Sequence, residues 1–190
     1  MNHARLRSFW DLCCESKIWI ANLIMLCVAS LGAGGGCTGI QAPPQAADFR
    51  GPSGGCGNFF VYRFNETRTL AVTVQVDATA LRAKGDKATL DLKSNAVPPR
   101  VQVLRFATPV RHYFCDDVDD GQRPAATWEA VAGRVEIQFH RPSEHQVENE
   151  ALYDVSIELH EVELECQDRR QVAFLDPILI PQVQVGWFAG

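Results

Sequence analysis

From Cys56 onward the apolar positions recur every second residue, the period of a strand with one face buried rather than that of a helix. Phe60, Tyr62 and Phe64 alternate with Phe59, Val61 and Arg63, and Leu70, Val72, Val74 and Val76 alternate with Ala71, Thr73, Gln75 and Asp77. Asn65-Glu66-Thr67 between them reads as a turn. Leu90 and Leu92 alternate with Thr89 and Asp91, Val101 and Val103 open a strand after Pro98-Pro99, and Val110 to Cys115 reads as one more strand or a continuation past Pro109. The later half is clearer. Gly133, Val135, Ile137 and Phe139 face one way and Arg134, Glu136, Gln138 and His140 the other. Tyr153, Val155, Ile157 and Leu159 repeat this against Asp154, Ser156, Glu158 and His160, and the polar loop 141–151 joins the two runs as a hairpin. The phase then slips, because Val162, Leu164 and Cys166 become the apolar set. A one-residue slip predicts a β-bulge or bend at His160-Glu161. A last strand runs from about Val183 to Phe188, and Ala78 to Lys84 makes a helical turn or two at most. About eight short half-apolar strands predict an all-β domain over residues 56–190, an antiparallel β-sandwich with a β-barrel as the alternative.

The chain before this domain has a different character. Arg5, Arg7 and Lys17 precede an uncharged apolar run from Ile18 to Leu31, 14 residues long, against the ~20 that a membrane-crossing helix needs. The small residues Gly32 to Gly36 follow. A basic start, a short apolar helix and a small-residue exit make residues 1–36 a secretory leader. Residues 37–55, with Pro43, Pro44, Pro52 and Gly54-Gly55, read as a flexible linker.

Gly34-Gly35-Gly36-Cys37 resembles the signal segment of bacterial lipoproteins, in which an aliphatic residue and two small residues precede a cysteine. Gly34 stands where leucine is usual, and the resemblance covers the leader alone. It implies that Cys37 is lipidated and becomes the mature N-terminus, which places the protein at the cell envelope, anchored in a membrane by its acyl chains. Two alternatives stay open: ordinary cleavage after Ala33-Gly34-Gly35 or near Ala46-Ala47, giving a secreted or periplasmic protein, and an uncleaved leader acting as the anchor.

Of seven cysteines, Cys13, Cys14 and Cys27 fall in the leader. An exported domain permits disulfides. The hairpin carries Cys166 back beside Ala126–Trp128, with Cys115 a short acidic loop before it, so Cys115–Cys166 is the first expected bridge and Cys56–Cys115 the alternative. No zinc-type spacing occurs in the mature chain.

The net charge of −5 disfavours a nucleic-acid partner held by phosphate contacts. The densest polar cluster, Asp116, Asp117, Asp119 and Asp120 before Gly121, offers the carboxylates that calcium takes but lacks EF-hand spacing, so an exposed acidic turn competes with a calcium site. Glu158, Glu161, Glu163 and Glu165 read as a solvated sheet face that discourages edge pairing, rather than as the paired acids of a glycosidase. His112, His140, His145 and His160 read as exposed or locally bonded. Phe59, Tyr62, Trp128, Trp187 and Phe188 fit a core better than a sugar-stacking platform. No nucleophile, base and orienting group stand together. The expectation is a non-catalytic, exported envelope accessory or binding module meeting a protein or glycan partner, with a calcium-dependent or carbohydrate-binding module using the Asp116–Asp120 loop as the alternative.

Overall fold

A computed structural model describes residues 42–77, 81, 86–93, 97–117, 121–140, 153–166 and 171–186; the leader and Cys37 lie outside them. Nearly all regular structure is antiparallel sheet. The strands are β1 (Ser53–Cys56), β2 (Phe60–Phe64), β3 (Leu70–Gln75), β4 (Lys87–Asp91), β5 (Arg100–Arg105), β6 (Ala126–His140), β7 (Tyr153–Cys166), β8 (Val172–Leu175) and β9 (Ile178–Val185). A single turn of 3-10 helix, Ala46–Asp48, precedes them. Among the described residues no helix is long and apolar enough to cross a membrane.

The two long strands organise everything else. The first part of β6 pairs with β5 and its second part with β4, while the first part of β7 pairs with β9 and its second part with β8. One ladder therefore runs β1-β2-β3-β5-β6-β7-β8, and a second, β4-β6-β7-β9, leaves the same two strands. The sheet does not close, so the barrel alternative is not what forms. The division lies at the expected slip. Arg134 pairs with His160 and Ala132 with Glu163, so Gly133 faces both Glu161 and Val162. Glu161 takes a left-handed φ of 51° and Gly133 a φ of 125°. A second irregularity between Ala130 and Ala132 restores the register, because Ala130 pairs with Leu164. Paired bulges let a long hairpin turn a corner without losing its hydrogen bonds. A Cβ on Gly133 would stand 2.8 Å from Val162 Cα, which is why glycine occupies this place.

Residues from both ladders meet in one core. Val61, Val72, Val74 and Val103 join Leu90, Val135, Ile137, Ile157, Leu164 and Ile180 in a single buried cluster. Each such side chain contributes about 1.5–3 kcal/mol by leaving water. Strand β3 is buried on both faces. Its small residues Ala71 and Thr73, read from sequence as the polar side, are buried too, and Ala71 joins Phe64, Leu104, Phe106 and Val110 in a second cluster, with Tyr62, Tyr113 and Phe114 against it. The β2–β3 turn forms as expected, with Asn65 Oδ1 accepting the amides of Thr69 and Leu70 at 2.8 and 3.0 Å.

Three expectations need correction. Residues 42–55 do not hang free as a linker: Phe49 is buried in the main core, Arg105 donates to the Ala42 carbonyl at 2.7 Å, and β1 pairs with β2. Val110 to Cys115 is not a strand. Val110 bonds the Arg68 carbonyl through its amide at 3.0 Å, and Tyr113 and Phe114 then turn down onto Tyr62, Phe64 and Phe106. That packing also decides the disulfide, which joins Cys56 to Cys115 with Cα atoms 5.7 Å apart. Cys166 does lie opposite Trp128, but Cys115 has been carried to the other side of the sheet, so the Cys115–Cys166 bridge does not form. Cys166 is also disulfide-bonded.

Candidate functional site

The outer face of β4-β6-β7 gathers the most chemically active side chains. Alternation sends Glu136, Gln138 and Arg134 of β6 outward, together with Ser156, Glu158 and His160 of β7 and Lys87 of β4. Register then makes them neighbours, since Glu136 pairs with Glu158 and Arg134 with His160. Lys87 Nζ lies 2.9 Å from Glu136 Oε2, and Arg134 Nε 3.4 Å from Glu136 Oε1. His160 Nε2 is 3.3 Å from Glu158 Oε2, while its Nδ1 faces Asp176 Oδ1 at 3.8 Å. Asp176 Oδ1 also accepts the Glu161 amide at 3.2 Å, so the bulge that bends β7 fixes the carboxylate beside the imidazole. The hydrogen bond from Lys87 holds the Glu136 carboxyl below the ordinary glutamate range against partial desolvation, helped by the charges of Lys87, His160 and Arg134. Lys87, Glu136, Gln138, Ser156, Glu158 and Leu179 line an open depression of about 280 Å³. Among the described residues, Glu136, Glu158 and His160 are the group whose ligand atoms all fall within 4.8 Å of one another.

A second polar face lies past the corner. Glu163 pairs with Phe174 and Glu165 with Val172. Phe174 is 71% exposed, on a strand with β7 as its one described ladder partner. Across β7, Glu129 receives Arg100 and Gln102, each at 2.8 Å, and the Arg100 bond keeps its carboxyl below the ordinary range.

The residues singled out from sequence fall as follows. Cys37, Asp119, Asp120, His145, Trp187 and Phe188 lie outside the described residues. Asp116 Oδ2 stands 3.5 Å from His112 Nδ1, and Asp117 is exposed; neither joins a three-ligand group among the described residues. His140 Nε2 meets Ser156 Oγ at 2.8 Å. Phe59 and Trp128 are core residues, with Arg105 stacked 5.1 Å over the Trp128 ring, and Tyr62 belongs to the aromatic cover of β3. Glu158, Glu161, Glu163 and Glu165 all stay outside the core. The approach of Glu136, Glu158 and His160 was missed, although alternation had placed all three outward and the hairpin supplied the pairing. Comparison with protein-family models, with curated proteins and with solved structures finds no match to this chain.

Proposed function

We propose that this is an exported bacterial envelope protein whose two bent ladders make a β-sandwich acting as a non-catalytic accessory or binding module. The observation that carries this reading is the Cys56–Cys115 bridge, which spans 59 residues and ties β1 to the aromatic cover of the sheet. Such a bond persists in the oxidising compartments outside the cytosol, which agrees with a basic, apolar, small-residue leader that ends at a cysteine. The exposed sheet faces of the domain, one carrying Phe174 beside Glu163 and Glu165, are the surfaces offered to a protein or glycan.

Mass spectrometry of the protein isolated from the cell envelope tests this. The expected species has lost the leader and keeps the Cys56–Cys115 bridge. A soluble cytosolic chain that retains Met1 and has free thiols at Cys56 and Cys115 would overturn it.

A further inference from the structure

We propose that Glu136, Glu158 and His160 bind a divalent transition-metal ion, with Zn(II) as the reference ion, and that Asp176 orients the imidazole from behind. This inference does not depend on the envelope address.

The geometry is built into rigid strands rather than a loop. Glu136 and Glu158 are a direct cross-strand pair, and His160 stands one pleat repeat along β7 on the same face. Their ligand atoms lie within 4.8 Å of one another. A tetrahedral ion with bonds of about 2.0–2.1 Å sets its ligand atoms ~3.3 Å apart; His160 Nε2 and Glu158 Oε2 already stand 3.3 Å apart. Metal-binding histidines as a rule present their second nitrogen to a carboxylate, which fixes tautomer and ring angle. Here Asp176 Oδ1 faces Nδ1 at 3.8 Å and is tied to the Glu161 amide. Two carboxylates directly opposite each other repel, and a dication between them would convert that repulsion into attraction. One imidazole with two carboxylates favours zinc over calcium, which takes oxygen ligands. Three protein ligands leave a coordination position for an outside molecule, and the depression that Glu136 and Glu158 also line lies alongside.

Lys87 is the closer of two competitors for Glu136, since Arg134 Nε stands 3.4 Å from its other oxygen. The Lys87 ammonium occupies Glu136 Oε2 at 2.9 Å, from a side chain that is 59% exposed, so it must swing into water for the ion to bind. That separates a metal site from a purely structural ion-pair network, because the two respond oppositely to loss of the lysine.

The test is calorimetric titration of the oxidised full-length protein, prepared without a histidine tag, with zinc chloride alone and with calcium chloride as the comparison. We expect one zinc per chain and no calcium heat at the same concentrations. His160→Ala and Glu158→Gln should abolish the zinc heat while melting temperature in the absence of metal stays near the parent value. Asp176→Asn should weaken binding by about 10–100-fold, and Lys87→Met should tighten it. No zinc heat with the parent protein, heat that survives His160→Ala, or weaker binding in Lys87→Met would each overturn the proposal.

Discussion

Replacing Gly133 by alanine tests the corner on which both ladders depend. Gly133 has a φ of 125°, a region open essentially to glycine alone, where another residue is strained by about 1–3 kcal/mol. The new methyl would also stand 2.8 Å from Val162 Cα and 3.0 Å from the carbonyl oxygens of His160 and Glu161. All three are backbone atoms, so no rotamer change relieves the contact. Strand β6 must move away from β7 where the ladder is already thinned by bulges. Strain and collision together should cost on the order of 3 kcal/mol or more, well above the ~1 kcal/mol centre of ordinary substitutions. Gly57→Ala is the matched control: its φ is 58° with nothing within 4 Å of the added carbon, so it bears only the left-handed penalty of about 1–2 kcal/mol. Urea unfolding of both variants, followed by far-ultraviolet circular dichroism, reads the difference. Gly133→Ala should lower the midpoint much further than Gly57→Ala, with little change in slope. If the two variants unfold within about 1 kcal/mol of each other, the close approach at the corner does not exist and the bent-hairpin account is wrong.

Changing Cys56 and Cys115 together to serine opens a loop of 59 residues and should cost about 4 kcal/mol on chain-entropy grounds, read from the midpoint in the same urea assay. Ile157 is fully buried between β6 and β9, so Ile157→Ala should destabilise by about 2–5 kcal/mol, read from the unfolding midpoint. Glu129 and Glu136 have folded-state pKa values held below the ordinary 4.5, by the Arg100 and Lys87 hydrogen bonds respectively. Their contribution is complete above that value and is lost as pH falls through the lower folded values, so Glu129→Gln should flatten the stability curve below about pH 4.5 and a variant as acid-sensitive as the parent would contradict the pairing. Phe174 is largely in water, so Phe174→Ser should change stability by no more than about 0.5 kcal/mol, and a larger loss of melting temperature would show that the side chain is covered.

Where a strand with one wet face is long, the sequence pattern was enough to find it, whereas the last strand, read from Val183, already starts at Ile178. The runs through Val135 and Val155 form as read, and the slip after His160 is the left-handed Glu161 opposite Gly133. Other segments were harder because their surroundings, rather than their own period, decide their state. Ala126 to Ala132 has no clean alternation, since it runs up to a bulge and is held by β5 and β7 on either side. Val172 to Leu175 alternates for only four residues, too short a run to separate from a loop. Cys115 was misplaced because its position is set by Tyr113 and Phe114. A signal for this existed: Tyr62 and Phe64 are large aromatics on the side of β2 away from Val61, and they require a cover. A segment carrying Phe106, Tyr113 and Phe114 but broken by Pro109 is the natural one to supply it. The metal-type grouping follows the same logic. The register that set Cys166 beside Trp128 also sets Glu158 beside Glu136, because the two bulges compensate. Counting neighbours along that hairpin would have joined His160 to two glutamates instead of leaving it as one more exposed or locally bonded histidine. Asp176 could not have been added in this way, because it reaches His160 from the β8–β9 connection, through an approach that no strand period encodes.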